Sequence, residues 1–242
     1  VSRWIRLVLP GLLLAQAAQA ETFFSAYLGH SRTQSSDLEI SQASTDSDAV
    51  FESVQWDANS FEGPLYYGAR LTHYLETRPQ WGMALDFVHY KIYARTADPV
   101  RVRGRWNGAP TDEVAPMQTR VQSYSISHGV NFLSALGLYR GAWIESATYP
   151  RGRLQPYLGI GPVYYVIHPE NRVNDLSTAG YETSGWGWQA LAGLRYALTT
   201  RIDLFGELKN DHGTAKTSVA GDGRSATSLD TLHAVVGVGF TF

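Results

Sequence analysis

Large apolar residues alternate with small or polar ones over much of the chain. At its end, Ala234, Val236, Val238, Phe240 and Phe242 share one parity, while His233, Val235, Gly237, Gly239 and Thr241 share the other. This is the period of a β-strand, whose successive side chains point to opposite faces. The same pattern recurs and predicts eight strands, near residues 22–31, 64–75, 81–94, 122–139, 155–167, 186–198, 201–209 and 231–242. Between them lie long polar segments, 32–63, 95–121, 168–185 and 210–230, and very short ones, 76–80 and 199–200. Only the connection 140–154 breaks the alternation of long and short.

Parity divides the side chains between two environments. Trp81, Met83, Leu85 and Phe87, and likewise Leu158, Ile160, Pro162 and Tyr164, fall on one face, opposite Gly82, Ala84 and Asp86 or Gly159 and Gly161. A greasy face opposite a face of glycine and charge fits a closed barrel with lipid outside and a filled lumen. In the soluble alternative, an eight-stranded barrel with a greasy interior, the glycines and charges would point outward. The expected class is therefore all-β: an eight-stranded antiparallel up-and-down transmembrane β-barrel of the bacterial outer membrane. Its last strand, ending at Phe242, resembles the closing strand of such barrels, and that resemblance implies recognition of Phe242 by the outer-membrane assembly machinery. Tyr67, Trp81, Trp186, Trp188 and Tyr196 suit the interfacial aromatic girdles. Arg70, Asp86, Gln189, Arg195, Glu207 and Lys209 fall on the inward parity, where paired charges would plug so narrow a lumen.

Composition narrows the partners. The 242 residues contain no cysteine, which excludes a disulfide framework and thiolate metal sites, and the net charge of −2 argues against nucleic acid as a partner. Arg3 and Arg6 precede an apolar stretch at 7–14, followed by Ala18-Gln19-Ala20 ahead of Glu21, so residues 1–20 read as a secretory signal peptide and 21–242 as the barrel domain. A membrane-anchoring helix would need about 20 apolar residues, far more than that stretch supplies.

Candidate chemistry centres on three histidines. His89 continues the row Trp81, Met83, Leu85 and Phe87; His128 precedes Val130 and Phe132; His168 follows Pro162, Tyr164 and Val166. All three are assigned to lipid-facing rows of neighbouring strands, each at the end bearing the long loops. Lys91 and Glu170 extend the same rows, adding a cation for phosphate and a carboxylate; Tyr67 is a further candidate substrate contact. Three imidazoles with a carboxylate suit a divalent metal or an acid–base site, whereas amphipathic rim residues are the bland alternative. A strand bulge would break the parity, and Pro162 makes the fifth strand the place to expect one. A serine hydrolase of the lipid A deacylase type is less well served. No histidine has a serine two residues away, and Ser127 and His128, adjacent on a strand, would face opposite ways. The first and fourth long segments, the latter with Gly221-Asp222-Gly223, read as flexible solvated loops.

Residues 55–74, QWDANSFEGPLYYGARLTHY, followed by WGMALDFVHYKIYA at 81–94, resemble the lipid A oxidase family of α-proteobacterial outer membranes. Members show a similar W-x-x-x-SFE-x-P-x-YYG-x-R segment followed by WG…DF-x-H-x-K-x-YA. Weaker echoes are SHGVNFLSALGLYR at 127–140, PYLGIGPVYYVIHPE at 156–170 and LFGELK at 204–209. The resemblance implies a lipid A or lipopolysaccharide substrate in the outer leaflet, with oxidation of the proximal glucosamine to aminogluconate by molecular oxygen and release of peroxide. An all-β chain offers no strand-to-helix glycine loop, so neither NAD nor FAD is expected. A divalent metal is then the simplest route to oxygen chemistry, with His89, His128 and His168 as its candidate ligands and catalytic groups. The competing reading, from a different class, is a non-enzymatic surface barrel serving adhesion or membrane integrity.

Overall fold

In a computed structural model that describes residues 21–242, the alternation resolves into one antiparallel sheet rolled into a ring. The strands are β1 (Glu21–Thr33), β2 (Ser36–Gln42), β3 (Ser47–Val54), β4 (Trp56–Asp57), β5 (Tyr67–Tyr74), β6 (Trp81–Ala94), β7 (Pro99–Trp106) and β8 (Ala109–Pro116). They continue with β9 (Val121–Arg140), β10 (Leu154–Ile167), β11 (Glu170–Val173), β12 (Leu176–Ala179), β13 (Glu182–Ala197), β14 (Ile202–Val219) and β15 (Gly223–Thr241). Pairing runs β1, β5, β6, β9, β10, β13, β14, β15 and returns to β1, from Phe23 opposite Thr241 to Thr33 opposite Thr231. These eight strands are the ones the sequence predicts. Closure leaves no free edge in the ring, as a sheet in lipid requires. The expected signal peptide lies outside the described residues.

Outward parity is apolar where the ring would meet lipid: Met83, Leu85, Ile160, Leu204, Val236 and Val238 are all exposed. Among the described residues no helix is long and apolar enough to cross a membrane; the strands form the lipid-facing wall. Exposed Trp81 and Tyr139 mark the end with the short turns, and Tyr67, Trp186 and Trp188 the other. By the rule for outer-membrane barrels, short turns are periplasmic and long excursions extracellular.

Inward parity fills the lumen. Near the periplasmic end Phe23, Tyr74, Leu136, Leu138 and Tyr157 form an apolar layer, with the Arg140 guanidinium 3.7 Å from the Tyr74 ring centre. Above it Arg70 donates to Glu207 at 2.7 Å and to Asp86 at 3.0 Å, and Lys209 lies 2.7 Å from Asp86 and 3.4 Å from Glu207. Tyr27 donates to Asp86 at 2.6 Å and Tyr157 to Glu207 at 2.8 Å. The Tyr27 ring lies across Gly68, where even a Cβ would come within 2.1 Å of it. The inward glycine is thus the space that a lumen aromatic uses. Arg195 also faces inward but pairs separately with Asp203, and Gln189 is buried. A further layer joins Tyr90, Tyr165 and Thr231 to the buried Asp211–His233 pair.

The expected flexible loops are instead folded. β14 and β15 continue well past the ring as a hairpin, β15 pairs with β2, β2 with β3, β3 with β7 and β7 with β8. This extension encloses an apolar core, in which Leu38, Ile40, Phe51, Val102, Met117 and Tyr124 are buried, and that core runs on into the upper lumen through Tyr90, Phe132 and Tyr165. The reason is a period of two concealed within Ser- and Asp-rich sequence: Leu38 and Ile40, Ala49 and Phe51, Val100 and Val102 each point inward. The barrel is therefore plugged by charge at mid-height and capped by an extracellular dome with an apolar interior.

Candidate functional site

The site arises where strand regularity fails. On one side β6 advances two residues, from Tyr90 to Ile92, while β9 advances four, from Val130 to Ile126. The two extra residues of β9 leave the ladder around Ser127, His128 and Gly129, with Gly129 at φ +120°. Val130 and Phe132, expected to face lipid, are buried in the lumen, so the parity assigned to this strand is corrected. His128 shares their parity and reaches the outside only because the bulge carries it there. Pro162 in β10 is not the source. That strand keeps Leu158, Ile160 and Pro162 outward, and its own irregularity falls later, between Tyr165 and Val166.

Beyond Val166 the chain turns into β11, and the His168 N–H donates to the Gly129 carbonyl at 3.1 Å, locking that turn to the bulge. The result is a convergence of His128, His168 and Glu170. His128 Nδ1 lies 2.6 Å from Glu170 Oε1, and His168 Nδ1 lies 3.9 Å from the same oxygen. Ser127 Oγ donates to Glu170 Oε2 at 2.8 Å. Tyr181 packs edge-on against His168 at 4.5 Å between ring centres. One ligand atom from each of His128, His168 and Glu170 lies within 4.8 Å of the other two. His128 is 59% exposed at its side chain and His168 only 16%. The His168 Nδ1 atom is buried without a hydrogen-bond partner.

His89, expected as a third member, is not among these grouped ligand atoms. It stacks on Tyr67 at 4.8 Å and donates from Nδ1 to Asn131 Oδ1 at 2.8 Å, with its Nε2 buried and unpartnered. The Gly129 bend passes over it so closely that a Cβ there would come within 2.5 Å of the imidazole. Lys91 is likewise buried, its ammonium donating to the Glu62 carbonyl at 2.8 Å. The 58–66 segment thus covers the lysine expected to meet phosphate, whereas Tyr67 stays exposed.

Ser127 and His128 do not face opposite ways, as regular strand geometry requires, because the bulge turns both toward Glu170. Even so, the serine hydroxyl is held by the carboxylate and lies 3.4 Å from His128 Nδ1, a poor arrangement for a nucleophile and its base. Gly129 and Asn131 were not singled out by the sequence, and Ser127 was considered only as a nucleophile facing away from His128; a glycine inside a strand pattern was the one signal of the bulge. A large concavity lies elsewhere. It is an apolar trough of about 1280 Å³ on the lipid-facing wall, bounded by Leu28, Leu158, Leu194, Leu208 and Val236, and holds none of these imidazoles. A trough facing lipid is where acyl chains lie, away from the polar groups of the rim.

Ring closure, apolar outer wall and filled lumen define a small outer-membrane β-barrel. No protein-family model matches the chain, and no curated protein matches it in sequence. Among solved structures it is similar to the outer membrane protein OprG from Pseudomonas aeruginosa, with a TM-score of 0.52 at 14% identity over 93% of this chain and 97% of that one. Neisserial surface protein A matches at a TM-score of 0.43 and 12% identity, covering 92% of this chain and 97% of its own. The outer membrane protease OmpT from Escherichia coli matches at 0.43 and 8%, covering 94% and 98%. At 14% identity the likeness to OprG is one of fold.

Proposed function

We propose that this protein works at the lipid headgroups from the outer wall of its barrel, as a lipid A-modifying oxidase. The observation that carries the reading is the outward-facing His128–His168–Glu170 cluster at the extracellular end of the apolar wall. The plugged lumen favours work on the wall over transport. The choice of lipid A and of oxidation comes from the sequence resemblance across 55–94. In that reaction the anomeric carbon of the proximal glucosamine loses its C–H hydrogen and its hydroxyl proton, forming a lactone. The two electrons and two protons reduce oxygen to hydrogen peroxide, and water opens the lactone to the carboxylate. A solvent-facing imidazole such as His128 is suited to take the hydroxyl proton. Lys91 would reach a phosphate only if the 58–66 segment lifted from it.

A second reading, a non-enzymatic barrel for adhesion or membrane integrity, draws on the folded extracellular dome. Such a dome presents a rigid surface that catalysis at the rim does not require. Mass spectrometry of lipid A from otherwise identical cells with and without this protein separates the two. Aminogluconate-bearing lipid A only in cells that have the protein supports the oxidase. Identical lipid A under aerated growth leaves the non-enzymatic reading.

A further inference from the structure

We propose that His128, His168 and Glu170 bind one divalent transition-metal ion on the outer wall, with His89 taking no part. Tetrahedral or octahedral bonds of about 2.0–2.1 Å hold ligand atoms roughly 3 Å apart. Glu170 Oε1 lies 2.6 Å from one imidazole nitrogen and 3.9 Å from the other, which brackets that spacing, and all three ligand atoms lie within 4.8 Å of one another, so shifts of about 1–2 Å bring them to it. An ordinary His–Glu ion pair would account for His128 alone. It leaves the His168 Nδ1 buried without a hydrogen-bond partner, 3.9 Å from the same carboxylate oxygen. Buried polar atoms normally have a partner, and an ion between the three groups supplies one.

The supports are already in place. Ser127 holds the second carboxylate oxygen, Tyr181 packs the ring of His168, and the backbone bond from His168 to Gly129 fixes the two strands that carry the ligands. Such outer contacts orient first ligands in metal sites. Two imidazoles and one carboxylate with positions left open form the ligand set of non-haem iron sites that handle oxygen, and also of catalytic zinc. Exposure of His128 leaves a path for ions from the outside. This inference rests on the geometry alone. A barrel that binds the ion yet leaves lipid A unchanged would sink the oxidase reading and not the site.

The test uses the full chain without a polyhistidine tag, extracted from membranes in detergent, stripped with chelator and titrated anaerobically with Fe²⁺ and separately with Co²⁺. Wild type is expected to bind one ion per chain, with the visible absorption of histidine-ligated cobalt. His168→Ala and Glu170→Gln should lose it while keeping the faster gel mobility of a folded barrel. Ser127→Ala should weaken it about 10–100-fold, and His89→Ala should keep the stoichiometry. Wild-type binding no tighter than that of a His168→Ala/Glu170→Gln double variant would overturn the proposal. Equal loss in a folded His89→Ala variant would overturn the assignment of ligands.

Discussion

Removing Arg70 should destabilise the barrel more than removing Arg70 and Glu207 together. The guanidinium makes three hydrogen bonds, two of 2.7 Å to Glu207 and one of 3.0 Å to Asp86, in a part of the lumen sealed from solvent. Bonds to charged groups contribute about 1.5–3 kcal/mol each, so their gross loss is on the order of 4–9 kcal/mol. Part is offset because the guanidinium no longer has to be dehydrated, and breaking one partner of a buried pair typically costs about 3–5 kcal/mol net. Arg70→Met leaves Asp86 and Glu207 with Lys209 as their single cation, one negative charge in excess. Arg70→Met with Glu207→Met leaves the Asp86–Lys209 pair balanced at 2.7 Å, so it should lie closer to wild type although more bonds are gone. Urea unfolding in phospholipid vesicles, followed by tryptophan fluorescence and by mobility on unheated gels, measures both. A single variant within about 0.5 kcal/mol of wild type, the range of an ordinary surface change, would refute the reasoning. So would a double variant less stable than the single.

Gly129→Val should cost about 1–3 kcal/mol in the same assay, because the φ of +120° suits glycine and the new side chain would strike His89; unchanged stability would mean that the bend relaxes. Phe51→Ala, in the core of the dome, should cost about 3–5 kcal/mol locally, making Arg101, Arg103 and Arg105 accessible to trypsin on intact cells while the ring stays folded; wild type cut equally fast would contradict a folded dome. The hydrogen bond from Arg101 holds the exposed Asp112 carboxyl below its ordinary range, so the pair favours the β7–β8 hairpin above the ordinary aspartate pKa. That contribution fades as the pH falls through the lowered value. In Arg101→Gln the carboxyl titration followed by NMR should return toward the ordinary midpoint, and an unmoved midpoint would remove Arg101 as the cause.

The ring was legible because its chemistry is two-sided. Met83 and Leu85 against Ala84 and Asp86, or Leu204 and Leu208 against Glu207 and Lys209, leave no doubt about which parity meets lipid. β9 was harder, since apolar side chains occupy both its faces: Phe132, Leu136 and Leu138 point inward, Leu133 and Tyr139 outward. Alternation without contrast cannot assign a side, and Val130 and Phe132 were placed on the wrong one. The dome was missed for a different reason. Leu38, Ile40, Ala49 and Phe51 are few and lie in a stretch dominated by Ser, Asp, Glu and Thr, so their inward row has the composition of a solvated loop. At the site, Glu170 was legible as an extension of the His168 row, but its meeting with His128 and Ser127 depends on a bulge. Bulges are set by pairing between strands distant in sequence, which periodicity along a single strand does not record.

Reconstitution tests the central claim most directly. The purified chain in detergent would be given lipid A with a free anomeric hydroxyl, with and without oxygen, while peroxide and aminogluconate are measured together. Wild type is expected to form the two in equal amounts and only with oxygen. Glu170→Gln and His168→Ala, folded by gel mobility, should form neither, because Glu170 and His168 complete the outward cluster. Product formed at the wild-type rate by those variants, or no product from wild type with oxygen and restored metal, would contradict the account.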